Sequence, residues 1–173
     1  AKIKKVPNRK SVFFIFLFLK INFIFTVKPI ANIMFQKLLS YLIPINIYKQ
    51  NSEINKSLEV TWNNGKLVLD SKNTNYSYGS LQRALKKGLR FIGFERIRKF
   101  ENVLVLGVAG GSVIKTLVEE IKYYGKITGV EIDQGVIEIS NKYFKINEIN
   151  NLSLINDDAF EFVLKTKEKY DLI

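Results

Sequence analysis

Asn102-Val103-Leu104-Val105-Leu106-Gly107-Val108-Ala109-Gly110-Gly111-Ser112 is the stretch that decides the fold. Val103 to Leu106 form an uninterrupted apolar run, as expected of a strand buried on both faces of a parallel sheet. The glycines that follow allow a sharp turn and close backbone approach to a ligand. An amphipathic helix pattern starts at once, and a helix N-terminus offers free N–H groups and a positive dipole end. A strand, a glycine turn and a helix in that order predict a nucleotide-type site at the carboxyl end of a first parallel strand.

Beyond Ser112 the pattern alternates. A helix is predicted over about Val113–Tyr124, with Ile114, Leu117, Val118 and Ile121 on one face and Gly125 as its stop. A second strand follows at Lys126–Glu131, a helix at Val136–Phe144, a third strand at Leu152–Ile155 and a helix at about Ala159–Lys167. A fourth strand starts at Tyr170-Asp171-Leu172-Ile173. Such alternation means βαβ units and an α/β fold with a parallel sheet, read here as truncated after about four strands.

Upstream, Leu58–Trp62 and Lys66–Leu69 flank Asn63-Asn64-Gly65, a hairpin signal with a type I′ turn. Ser80–Phe100 reads as one helix with a stripe of Leu81, Leu85, Leu89 and Ile92. Its basic residues, among them Lys86, Arg90, Arg96 and Arg98, read as a solvated face, since no nucleic-acid motif or aromatic interleaving accompanies them. Met34–Tyr48 carries Leu38, Leu39, Leu42 and Ile43 on a short helical face that Pro44 ends, expected to pack on the core, with a small interfacial segment as the alternative. The chain divides accordingly into residues 1–33, a hairpin and linking helix over 34–100, and the cofactor-binding part over 101–173.

Residues 1–33 differ from the rest. Lys, Ile, Phe and Asn fill 21 of these 33 positions. They hold seven basic and no acidic residues; the remainder has 20 basic against 16 acidic, so most of the net charge of +11 resides here. We read this segment as a non-native leader upstream of a start at Met34. Signal-like and membrane-anchor readings through residues 12–27 stand beside it, although the apolar run is short for a span. The expected location is cytoplasmic, with the anchor as the alternative, and neither membrane nor nucleic acid is an expected partner.

The 173 residues contain neither Cys nor His, which excludes disulfides, thiol chemistry, His-ligated metals and Ser-His catalysis. Acid–base work falls to carboxylates, Lys or Tyr. Gly107-Val108-Ala109-Gly110-Gly111 is neither the Gly-x-Gly-x-x-Gly dinucleotide fingerprint nor a P-loop. Glu131 closes the second strand 24 residues after Gly107, where a carboxylate can accept hydrogen bonds from both ribose hydroxyls of an adenosine. Asn156-Asp157-Asp158-Ala159-Phe160 follows the third strand; its aspartates suit either a helix N-cap or an acceptor for the adenine amino group.

The set VLVLGVAGGSVIKTL, ITGVEID, NLSLINDDAFEFV and YDLI resembles the spermidine synthase (aminopropyltransferase) group within the class I S-adenosylmethionine-dependent methyltransferase fold. The resemblance implies a Rossmann-like domain preceded by a small β-hairpin segment. It implies that Gly107, Ala109, Gly110 and Gly111 line the methionine end of the donor, that Glu131 holds the ribose with Asp133 as support, and that Asp158 with Ala159 contacts adenine. Tyr78 is the corresponding substrate-site residue. The donor would be S-adenosylmethionine or its decarboxylated form, with no metal, a small-molecule acceptor and a homodimer as further expectations.

Several positions depart from the family pattern. Gly110 stands where the group carries an Asp facing the cationic aminopropyl chain, and Ala109 and Ser112 replace flanking glycines. Tyr78-Gly79-Ser80 stands in place of Tyr-His-Glu, and the group's catalytic Asp would fall beyond Ile173. An Asp at 110 would attract an amine and repel the carboxylate of intact S-adenosylmethionine, so Gly110 favours methyl transfer while the overall resemblance favours aminopropyl transfer. The chain alone is expected to be inactive. Two other readings remain: an NAD-binding Rossmann enzyme, whose ribose Glu131 would serve equally well, and a non-catalytic adenosine-ligand-binding protein.

Overall fold

The computed structural model describes residues 32–71, 74–75 and 80–173. The leader expectation for residues 1–33 lies outside the described residues except at 32 and 33, which begin a helix; the anchor reading of 12–27 and the site assignment of Tyr78 lie wholly outside them. No helix among the described residues is long and apolar enough to cross a membrane.

Helix α1 (32–39) ends in a turn before Pro44. Its Ser40 extension is 2% exposed and ties it to the next hairpin, the hydroxyl accepting Gly65 N–H at 2.9 Å and the carbonyl accepting Asn64 N–H at 3.0 Å. Of the predicted apolar face only Leu39 turns inward, together with Gln36 and Ser40; Leu38, Leu42 and Ile43 are exposed, as are Met34 and Phe35.

Four strands follow: β1 (Ile45–Ser52), β2 (Lys56–Asn63), β3 (Lys66–Ser71) and β4 (Thr74–Asn75), in spatial order β1-β2-β3-β4 and antiparallel throughout. The expected hairpin is the central pair, with Asn63 opposite Lys66 and its turn residues Asn64 and Gly65 at φ 49° and 72°. Both values are positive, as a type I′ turn requires. Strand β1 was not apparent from sequence, since Pro44 reads there as a helix end.

The single helix predicted over Ser80–Phe100 is two: α2 (Ser80–Ile92) and α3 (Phe94–Ile97), separated at Gly93 with φ 97° and ψ 122°. The break turns Ile97 fully into the core, while Leu81 and Leu85 stay exposed. Arg98, expected on a solvated face, donates from Nε to the Ile121 carbonyl at 2.6 Å.

Strand β5 (Asn102–Leu106) opens the second sheet. Helix α4 (Ser112–Lys115) continues as a π-helical stretch over Thr116–Ile121 and stops at Lys122, φ 61°, rather than running to Tyr124. Tyr123 is thereby swung fully inside, with its amide on the Leu117 carbonyl at 2.9 Å. Gly125 makes room for this ring, which a Cβ there would strike. It therefore accommodates Tyr123 instead of stopping the helix. Burial, reinforced by the charge of Asp171, pushes the Tyr123 hydroxyl up to about 12, which keeps it a neutral donor to the Lys126 carbonyl at 3.3 Å.

Strand β6 (Lys126–Glu131), helix α5 (Gln134–Phe144), a 3-10 turn (Ile146–Glu148), strand β7 (Leu152–Asn156) and helix α6 (Ala159–Lys165) complete the order, within a residue or two of expectation. The sheet is parallel, β5-β6-β7. The chain then returns to the far side of β5, where Leu172 pairs with Val103 in parallel and its carbonyl accepts Leu104 N–H at 2.9 Å. Strand order thus reverses at β5, and α/β sheets place ligands outside the carboxyl ends at such a point. One apolar core joins the two sheets: Leu58, Val60 and Leu69 belong to the same buried cluster as Val103, Ile114, Ile127 and Ile139.

Candidate functional site

The carboxyl ends of the three parallel strands lie in register, Leu106 beside Val130 and Glu131 beside Asn156. The glycine loop leaves β5 by donating Gly107 N–H to the Val130 carbonyl at 2.9 Å. Three of its residues are in the left-handed region, Gly107 at φ 78°, Ala109 at φ 48° and Gly111 at φ 72°. For Ala109 that conformation costs about 1–3 kcal/mol and persists only where its surroundings hold it. Here they do: Ala109 N–H donates to Glu131 Oε2 at 3.0 Å, and its carbonyl accepts the Ser140 hydroxyl of α5. Gly111 is the N-cap of α4 and makes no side-chain cap, so the dipole end of the loop helix carries no side-chain acceptor.

Glu131 is 8% exposed, and its second oxygen accepts Asp133 N–H at 3.2 Å. Two backbone donors from opposite sides therefore fix its orientation. Each carboxylate oxygen has two acceptor positions, so one on each remains for a diol. Asp133 is 5% exposed and caps α5, with Oδ1 accepting Gly135 N–H at 2.9 Å. Its Oδ2 accepts from the Ser52 hydroxyl and from Asn55 Nδ2, the latter at 2.6 Å. The sequence had indicated Asp133 as support for Glu131 but not these two partners, which lie 81 and 78 positions away in the β1–β2 turn.

Asn156 Nδ2 donates to the carbonyls of Glu131 and Ile132 at 2.9 and 3.0 Å, and Asp157 N–H reaches the Glu131 carbonyl at 3.3 Å. The third loop is thereby fastened to the end of β6. Asp158 is the N-cap of α6, its Oδ1 accepting from Phe160 and Glu161 N–H at 2.8 and 3.1 Å. Both bonds fall on one oxygen. The capping role and a contact to a ligand are compatible, and Ala159 begins the helix beside it. The structure thus brings Gly107, Ala109, Gly111, Glu131, Asp133 and Asp158 to one end of the sheet, with buried Gly110 in the same turn. Ser140 and Asn156 also act there. Nothing in their local sequence marks Ser140, whereas Asn156 belongs to the run already singled out after the third strand.

A parallel sheet with a glycine loop after its first strand and a carboxylate closing its second is a Rossmann-like arrangement. Solved structures agree. A spermidine synthase in complex with the transition-state analogue AdoDATO superposes with a TM-score of 0.58 at 18% identity, over 74% of this chain and 46% of that one. The spermidine synthase from Thermotoga maritima gives 0.55 at 19% identity with the same coverage. The family model described as the spermine/spermidine synthase domain matches residues 84–173, more than half of the sequence, and the chain belongs to that family.

Curated relatives include polyamine aminopropyltransferase 2 of Aquifex aeolicus, 36% identical over 85 residues covering 44% of this chain and 17% of that protein. The polyamine aminopropyltransferase of Methanocaldococcus jannaschii is 38% identical over 76 residues, 42% of this chain and 26% of that protein. The chain thus spans only a part of the relatives it matches.

Proposed function

We propose that this chain is the donor-binding portion of an alkyl transferase that uses an S-adenosylmethionine-type sulfonium and passes an aminopropyl group to an amine acceptor. The match to the spermine/spermidine synthase domain carries this reading, and Glu131, buried, fixed by two backbone N–H groups and set beside the glycine loop, supports its adenosine part. The site's chemistry suits an adenosine: a carboxylate for the ribose diol, an uncapped helix start, and an aspartate loop for the base. The relatives, which are aminopropyltransferases, favour aminopropyl over other alkyl groups and give no support to an NAD enzyme or a non-catalytic binder. The acceptor's lone pair would attack the carbon bonded to sulfur, that bond's electrons would stay on sulfur as a neutral thioether, and the acceptor would then lose a proton.

Gly110 favours a second reading, methyl transfer from intact S-adenosylmethionine, because no carboxylate at that position repels the donor's own. Competition between the two donors decides. The intact protein is incubated with both and a mixture of amines, and products are weighed by mass spectrometry. Aminopropylated products support the first reading and methylated products the second; Gly110→Asp should shift preference toward the decarboxylated donor by about tenfold, the scale of one charge–charge contact at a partly screened site.

A further inference from the structure

The ribose carboxylate sits on the parallel sheet, yet the side-chain donors that hold its support come from the antiparallel one. Asp133 Oδ2 is served by Ser52 and Asn55, which close the β1–β2 turn; Ser52 Oγ also accepts Ile54 and Asn55 N–H at 3.2 and 2.9 Å, so the turn is internally set. Neither residue lies within the family match over residues 84–173.

The approach is close. A Cβ on Gly135, the residue next to the α5 N-terminus, would meet Gln50 Nε2 of β1 at 2.5 Å and fully buried Leu58 of β2 at 3.4 Å. Strands β1 and β2 thus pack directly against the start of α5, beside Asp133. Further along α5, Lys142 Nζ lies 5.0 Å from the Tyr48 ring of β1 and 5.2 Å from Tyr143, whose own centroids are 5.1 Å apart.

Removing the turn's donors would leave Asp133, a buried carboxylate near a second one, with a single backbone donor. A buried charge short of partners moves or draws in water. Asp133 N–H is one of the two donors that orient Glu131, and α5 also holds the loop through Ser140 and the Ala109 carbonyl.

We propose that Ser52 and Asn55 are positioning residues that set the Glu131 carboxylate for the ribose diol through Asp133. The proposal rests on the adenosine-binding reading above. The antiparallel sheet is then a part of the ligand site rather than an appendage to it.

The test compares binding of 5′-methylthioadenosine and its 2′,3′-dideoxy counterpart by calorimetry, on the intact protein. The wild type should prefer the diol by about tenfold or more, the value of hydrogen bonds to a charged group, and Glu131→Gln should lose most of that preference. Combined Ser52→Ala and Asn55→Ala should cut the preference to about threefold or less while dideoxy binding changes little, and Ser52→Thr, which keeps the hydroxyl, should restore it. Should the double variant fail to fold, Ser52→Ala alone carries the comparison.

Equal weakening of both ligands, or an unchanged preference in a folded variant, overturns the positioning role and leaves the adenosine reading intact. A wild type that binds neither ligand overturns the adenosine reading, and the positioning role with it.

Discussion

Glu59 and Asp70 face each other across β2 and β3, a like-charge pair that sheets disfavour. Glu59 is compensated by Lys49 Nζ at 2.6 Å and Asn46 Nδ2 at 3.0 Å. Asp70 Oδ1 is buried with no hydrogen-bond partner among the described residues. Burial, with a smaller contribution from Glu59, raises its carboxyl above the ordinary value of 3.8. The raised value means that folding favours the protonated form, so this stability is present below the ordinary carboxylate range and lost as pH rises through the folded value. Asp70→Asn should therefore raise the melting temperature at neutral pH by about 2 °C, with the advantage vanishing on acidification below about pH 4. Thermal melts of both proteins across pH 3 to about pH 8 check it; a variant less stable at neutral pH would contradict it. At this scale Glu131 was legible because its place at a strand end, after a glycine loop, is local information. Ser52 and Asn55 were not, since only the folded chain brings them to Asp133.

Among the elements, the strands of the parallel sheet were the easiest to read. Continuous apolar runs such as Val103–Leu106 suit a strand inside a parallel sheet; here Val103 and Leu104 are buried, while Leu106, at the carboxyl end, is exposed. The antiparallel β1 mixes half-buried and exposed positions around Lys49, Gln50 and Asn51, so its sequence carries little periodic signal. The helix predictions failed at their ends. Gly93 and the π turn before Lys122 respond to where Ile97 and Tyr123 must go, which is a tertiary demand. The returning strand has its own device. Asp171 Oδ2 accepts Glu101 and Asn102 N–H at 2.8 and 3.1 Å, and these bonds hold its carboxyl below the usual range. That contribution is present above the ordinary carboxylate value and is lost as pH falls. Asp171→Ala should loosen Leu172 from β5, so the Leu104 amide should exchange at least about threefold faster by hydrogen exchange, with Val130 unchanged. Equal protection in both proteins would show that the strand seats without this clamp.

Across the whole molecule, one hydrophobic cluster spans both sheets, and the polar contacts at Asp133 lie on the same junction. The candidate site and the N-terminal sheet are therefore parts of one packing unit. The four-stranded sheet was only half visible in the sequence, as a hairpin, because its outer strands are set by pairing and not by pattern. The family follows from residues 84–173, while the proposed choice of transferred group turns on Gly110. The proposed function depends on Glu131 accepting a ribose diol. Calorimetric titration of 5′-methylthioadenosine into the intact wild type and Glu131→Gln tests this most directly. The account predicts saturable one-site binding that weakens by at least about tenfold in the variant. Equal binding by the two proteins, or no binding by a wild type that instead takes up NAD, would contradict it.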